Sequence, residues 1–288
     1  MRLRLLFLLL FSAAFVKAQK IDSTNLSDLQ DYELRLAGLG EQMVRSFDEE
    51  TRVTCGKNFI MQFSRALRVE GSFYYPFDSL KNVMRLISPD GLFRIFTWNV
   101  ATNDEKFRYF GVVQMNPEML KKLNKDMPLY NSFYPLIDRS DSLASFLYTE
   151  TSADRWYGAT YYKIIKTTHS KRDYYTLLGW DGSGDKTNKK IADVMFFKEG
   201  KPRFGAPIFD LKRKTVFYRM VFEFNDKASM TLRYEEKRKY LIYENLVVDK
   251  PGNEYSFEHY FPDGSFDYMV WNKKGQWEKQ PKQLEVFE

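Results

Sequence analysis

Cysteine, histidine and long apolar runs are what this sequence has least of. Its 288 residues hold one cysteine, Cys55, and two histidines, His169 and His259. A lone thiol closes no intramolecular disulfide, so stability has to come from a packed core whatever the redox compartment. A zinc site needs three or four ligands, which would require Cys55, His169 and His259 to converge from distant segments. The same residues are the raw material for a Cys–His nucleophile. The plainer reading is a small buried side chain for Cys55 and a solvated turn tip for His169. No Lys/Arg block exists, and the formal charge is only +6, which argues against a nucleic-acid partner. A mean hydropathy of −0.49 excludes a polytopic helical membrane protein. Walker loops, G-x-S-x-G elbows and H-E-x-x-H pairs are all missing from the sequence. Ser183-Gly184-Asp185-Lys186 matches S-x-x-K, but it stands in a Gly/Asp/Asn-rich loop with no helical stretch after it.

What is present begins with Met1-Arg2-Leu3-Arg4, a basic leader followed by an apolar run from Leu5 to Val16 and by Val16-Lys17-Ala18. This is the pattern of a secretory signal peptide cleaved after Ala18. The run is shorter than the ~20 residues of a membrane-spanning helix, and no later segment is long and apolar enough to span. Cleavage leaves a mature chain of 270 residues carrying 41 basic and 38 acidic side chains. The expected location is therefore the periplasm or the exterior.

Aromatic residues are abundant, with 5 Trp, 19 Tyr and 25 Phe. Each buries ~150–250 Å², enough to build the core that disulfides do not supply. Residues 19–72 read as a helical segment. Leu26, Leu29, Tyr32, Leu36, Leu39 and Met43 recur at helical spacing between about Asn25 and Phe47, with Glu33 on the wet side and Ser23, Thr24 or Asn25 as the cap. Phe59, Ile60, Phe63 and Leu67 form the stripe of a second helix from about Glu50 to Val69. A short helix is expected near Asp78–Leu86.

From there to the C-terminus, residues 73–288 alternate short aromatic and β-branched runs with polar turns. The expectation is a mainly β fold: an antiparallel, hairpin-rich sandwich, barrel-like or propeller-like domain with an N-terminal α-helical hairpin. Hairpins are expected at 92–100 with 106–115, 160–168 with 174–180, 191–198 with 203–209, 215–224 with 229–235, and 255–261 with 265–272. Residues 116–152 read as an irregular insertion or crossover. Pro89-Asp90-Gly91 and Pro262-Asp263-Gly264 each lead to a Trp-Asn pair at equal spacing. Independent use of the same turn chemistry explains this echo better than duplication.

Two segments carry functional candidates. The loop from Trp180 to Lys190 places oxygen-bearing Asp181, Ser183, Asp185, Thr187 and Asn188 at near-alternate positions, as a calcium loop would. Lys186 and Ala192 stand where an EF-hand needs Gly and a bidentate Glu, so it is not an EF-hand. Asp181, Ser183, Asp185 and Asn188 are the candidate calcium ligands, against a default expectation of no cofactor. Tyr174, Tyr175 and Trp180 are the candidate ligand-binding aromatics, with Trp180 the best placed for exposure. An outer-membrane barrel would agree with the leader, the β texture and Phe287. It conflicts with the helical N-terminal segment and with basic residues such as Lys163 and Lys166 on strand faces.

The signal end Lys17-Ala18-Gln19, the run Tyr174-Tyr175-Thr176-Leu177-Leu178-Gly179-Trp180-Asp181-Gly182 and the closing Pro262-Asp263-Gly264 resemble an uncharacterised family of exported proteins of Gram-negative bacteria. The resemblance implies export and transfers no activity. The functional expectation is a non-enzymatic binding or envelope-interaction protein that takes a glycan, a peptide or an envelope protein on an aromatic β surface. The alternatives are a hydrolase using carboxylates such as Asp181 and Asp185, and the small barrel.

Overall fold

The structure is a computed structural model that describes residues 21–281, except 105, 124–132, 143–144, 183 and 185. The expected signal peptide and Phe287 lie outside the described residues. Two antiparallel helices come first, α1 (Ser23–Arg45) and α2 (Glu49–Ala66). Asp22 caps α1 by accepting the Thr24 N–H at 2.9 Å, one residue before the expected caps, and Asp48 caps α2 through Thr51 at 2.7 Å. Glu33 is not on the wet side. It is buried with Leu29, Leu36 and Met43, and its carboxylate accepts the Tyr75 hydroxyl and the Ser79 N–H. Two donors compensate the charge that periodicity alone would put in water.

Three antiparallel sheets follow. The first is a meander of β1 (Met84–Ile87), β2 (Phe93–Ala101), β3 (Phe107–Met115) and β4 (Phe133–Ile137). A helix of about two turns, α3 (Pro117–Leu123), precedes β4. The second sheet has the order β5 (Thr151–Ser152), β9 (Lys201–Phe204), β8 (Thr187–Lys198), β7 (Arg172–Asp181), β6 (Thr160–His169). Strand β10 (Phe209–Asp210) leaves it, and β11 (Met220–Asn225) returns to pair with β8. The third sheet joins β12 (Leu232–Glu235), β13 (Tyr240–Val248), β14 (Tyr260–Trp271) and β15 (Trp277–Lys279), with β10 parallel to β15 at its edge.

Period-two alternation explains how these parts stack. On the first sheet Phe96, Trp98, Val100 and Val112 face the helices, packing on Phe59, Phe63 and Leu36. Their neighbours Phe93, Ile95, Tyr109 and Val113 face the second sheet, against Tyr161, Tyr175, Leu177 and Ile191. From the other face of the second sheet, Leu178, Ala192, Val194 and Phe196 meet Leu241, Tyr243, Met269 and Trp277 of the third. The protein is thus four layers deep, a helical pair and three sheets, with three apolar interfaces. No sheet among the described residues closes into a barrel, and none of the described helices is long and apolar enough to cross a membrane.

Most expected hairpins form, and several expectations need correction. Residues 78–83 are turns leading into β1, not a helix. Part of the expected insertion is β4, which completes the first sheet through Phe110↔Ile137 to Gln114↔Phe133. Strands β11 and β12 do not pair with each other; one joins β8 and the other β13. Pro262-Asp263-Gly264 is no hairpin turn. It is a bulge inside β14, both halves of which pair with β13. Gly264 supplies the left-handed φ of 77° that the bulge needs. The Trp180–Lys190 loop is also shorter than expected, because β7 runs through Asp181 and β8 starts at Thr187.

Candidate functional site

Strand β3 is longer than its partner β4, and a groove opens where the pairing stops. After β4 the chain turns through Asp138 to Ser142 rather than continuing along β3. The Asp138 carboxylate holds this turn in place. It accepts N–H groups from Tyr109 at 3.2 Å, Gly158 at 3.2 Å and Ser140 at 3.0 Å, and the Ser140 hydroxyl at 2.7 Å. A side chain at Gly158 would collide with that carboxylate, so a glycine there is required by space.

The resulting groove has a volume of about 1010 Å³. The edge of β3 lines it with Phe110 on the face toward α2 and Phe107 and Tyr109 on the face toward the second sheet; Val53, Lys57 and Ile60 of α2 form one wall, and Ile137 with Arg139 the other. Alternation puts Phe107 and Tyr109 on one face of β3 and Arg108 and Phe110 on the other, so rings line the groove from both sides of the strand edge. Phe110 is fixed from behind by stacking on Trp98 at 5.8 Å. Such a mixture of apolar surface and a few converging polar groups is how small-ligand and oligomer sites are built.

Its charges are of two kinds. The carboxylates are largely engaged within the protein. Glu49 accepts the Asn103 N–H at 2.8 Å, and Asp138 is committed as described. Asp104 takes the Thr102 hydroxyl and lies 3.7 Å from Lys106; chiefly the Thr102 hydrogen bond holds its carboxyl below the usual range. By contrast Lys57, Arg108 and Arg139 are exposed, and none has a carboxylate within ion-pair distance among the described residues. Asp104 and Asp141 are the exposed acids among the lining residues.

The three aromatic residues expected to bind ligand are sent to three places by strand alternation. Trp180 is half-buried and meets Phe107 edge-on at 5.4 Å, so it supports the Phe107 side of the groove from the second sheet. Nearby, the Gly182 N–H donates to the Tyr109 hydroxyl at 2.8 Å, tying the end of β7 to β3. Tyr174 faces the third sheet beside Phe196 and Trp271. Tyr175 is fully buried between the first two sheets, with its ring perpendicular to Phe93 and its hydroxyl donating to Asp90 at 2.8 Å. Burial first, then the Asp90 carboxylate, pushes the Tyr175 phenol well above its ordinary value.

Of the expected calcium ligands, Asp181 is buried and receives the Tyr157 hydroxyl at 2.9 Å and the Lys189 ammonium at 3.4 Å. Burial, and then Asp181 itself, drives the Tyr157 phenol upward. Asn188 donates to the Asp226 carbonyl at 3.2 Å. Ser183 and Asp185 lie outside the described residues. Among the described residues no group of three or more His, Cys, Asp and Glu is placed to hold a metal. Cys55 is buried on α2 and donates to Gln42 at 3.1 Å. Burial, with Asp48, raises its thiol pKa, opposite to what an activated nucleophile requires. His169 packs on Gly275, and His259 lies 3.1 Å from Asp249.

Sequence reasoning missed Lys57, Arg108 and Arg139. They come from a helix, a strand and a turn far apart in the chain, and each looks like an ordinary surface residue. The one local signal was Phe107-Arg108-Tyr109-Phe110, an arginine set among rings just after a turn. No protein-family model matches the chain, and no curated protein matches it.

Proposed function

We propose that this is an exported, non-enzymatic binding protein of the cell envelope that takes a glycan or peptide ligand in the groove on β3. The observation that carries the reading is the groove itself: an open trough of about 1010 Å³ along a strand edge whose rings are backed by Trp98 on one face and Trp180 on the other. Support for export comes from the basic leader, the apolar run and Val16-Lys17-Ala18. The reading calls for no metal or organic cofactor.

Thermal unfolding against a panel of glycans and peptides tests it. A ligand at 100 times its dissociation constant adds ~2.7 kcal/mol, worth about 5–10 °C at this size. The expected result is a shift with at least one ligand that Phe107→Ala abolishes. A shift that survives Phe107→Ala would move the site elsewhere. Calcium in the same panel is expected to leave the midpoint unchanged. A calcium shift lost in Asp185→Ala would instead place an ion in the β7–β8 loop.

A further inference from the structure

We propose that the groove recognises an acidic glycan, with carboxylates held by Lys57, Arg108 and Arg139 and sugar rings meeting Phe110 on the α2 side of the β3 edge and Phe107 on the other. This rests on the reading of the groove as the binding surface and adds the chemistry of the ligand. Three cations from three separate elements line one trough without carboxylate partners among the described residues. Guanidinium groups pair with carboxylates in a planar, two-pronged geometry, and ammonium groups add a point charge. Two of the neighbouring acids cannot neutralise them well. Asp138 gives both oxygens to backbone N–H groups and the Ser140 hydroxyl, and Glu49 gives one of its two to the Asn103 N–H.

The strand edge argues against a peptide. An extended peptide gains affinity by adding to an open edge through main-chain hydrogen bonds. Here the outward N–H of Tyr109 is given to Asp138 at 3.2 Å, and the Asp138–Ser142 turn stands in the path of an added strand. A ligand in this groove is therefore held by side chains, through charge and ring contact. An acidic sugar chain offers both: carboxylates along its length and flat C–H faces for the rings.

The test is calorimetric titration of the mature chain with a hexagalacturonate, a neutral cellohexaose and hexaglutamate. Binding of hexagalacturonate is expected at low ionic strength, weakening as salt rises. Arg108→Ala and Arg139→Ala should each weaken it about tenfold, the low end for a charge-assisted hydrogen bond. Arg108→Lys should recover part of the loss, and urea midpoints should show that all three variants remain folded. Equal binding of cellohexaose, indifferent to the arginines but lost in Phe107→Ala, would overturn the acidic class and leave the groove reading intact. Hexaglutamate binding as tightly as hexagalacturonate would overturn the glycan assignment. No binding of any probe would overturn the proposal, and the wider glycan and peptide panel then decides the groove reading separately.

Discussion

Arg94 and Arg219 are fully buried among the described residues, and they are buried in different ways. Arg219 stands between the second sheet and the 146–149 segment, wholly excluded from water. It has a carboxylate: Asp193 accepts its Nε–H at 3.0 Å, and Asp193 also takes the Tyr161 hydroxyl and the Val194 N–H. Its Nη1 reaches the Phe146 and Thr149 carbonyls. Arg94 stands between the first sheet and the helical side, and no carboxylate within ion-pair distance is found for it among the described residues. It donates to Gln114 at 2.7 Å and to the carbonyls of Tyr75 and Ser72, with the Phe96 ring 4.7 Å away. Burial, aided by the nearby charge of Arg85, brings its pKa down to about 9. One site cancels a charge with a charge; the other disperses it over dipoles and ring faces. The first should be costly to break and the second cheaper.

The largest expected effect is therefore at Arg219. Arg219→Ala leaves Asp193 buried without its cation and should cost about 3–5 kcal/mol in urea unfolding. Combining it with Asp193→Ala should cost less than the two single losses together. Simple additivity would show that the two side chains act independently. Arg94→Met removes a cation that leaves no orphan carboxylate behind. The stranded carbonyls and Gln114 should make it cost about 1–3 kcal/mol. If it proved as damaging as Arg219→Ala, the contrast would collapse.

The smallest effect is a matter of pH. Unfolded arginine keeps its proton to above pH 12, while Arg94 in the folded chain loses it near pH 9. Above pH 9 the unfolded state binds more protons, so stability at this site rises with pH. The buried phenols Tyr157, Tyr161 and Tyr175 are shifted upward, so their contribution is complete below ~pH 10 and is lost as pH climbs further. Between pH 9 and about 10 the natural protein should gain slightly on Arg94→Met, and chemical denaturation along that window would show it. A flat difference would mean that Arg94 stays charged.

The buried arginines also show where sequence reading stops. Both helices, their stripes and the strands of the two longest hairpins were legible, because 3.6- and 2-residue periods survive in local composition. Turn chemistry was legible too, but only as geometry. The two Pro-Asp-Gly segments are the clearest case. At Pro89 the tripeptide reverses the chain between β1 and β2, with Asp90 accepting the Leu92 N–H at 3.2 Å. At Pro262 it bulges a strand whose two halves share a single neighbour. The residues specify a kink, and the pairing partner decides whether the kink becomes a reversal. The groove was not legible for the same reason. Where β4 stops along β3 is a fact about two strands and the Asp138 turn between three backbone segments, and no window of sequence contains it. Tyr175 shows the complementary error, since an aromatic pair reads as a surface until alternation assigns each ring a side.

The middle sheet has a helix-backed sheet on one face and another sheet on the other. Its central amides can reach solvent only when a neighbouring layer lifts away. Deuterium should therefore enter β1 and β12, at the edges of the outer sheets, long before it enters β7 and β8. The slowest sites in those two strands would then report the free energy of opening the whole stack rather than of any local fraying.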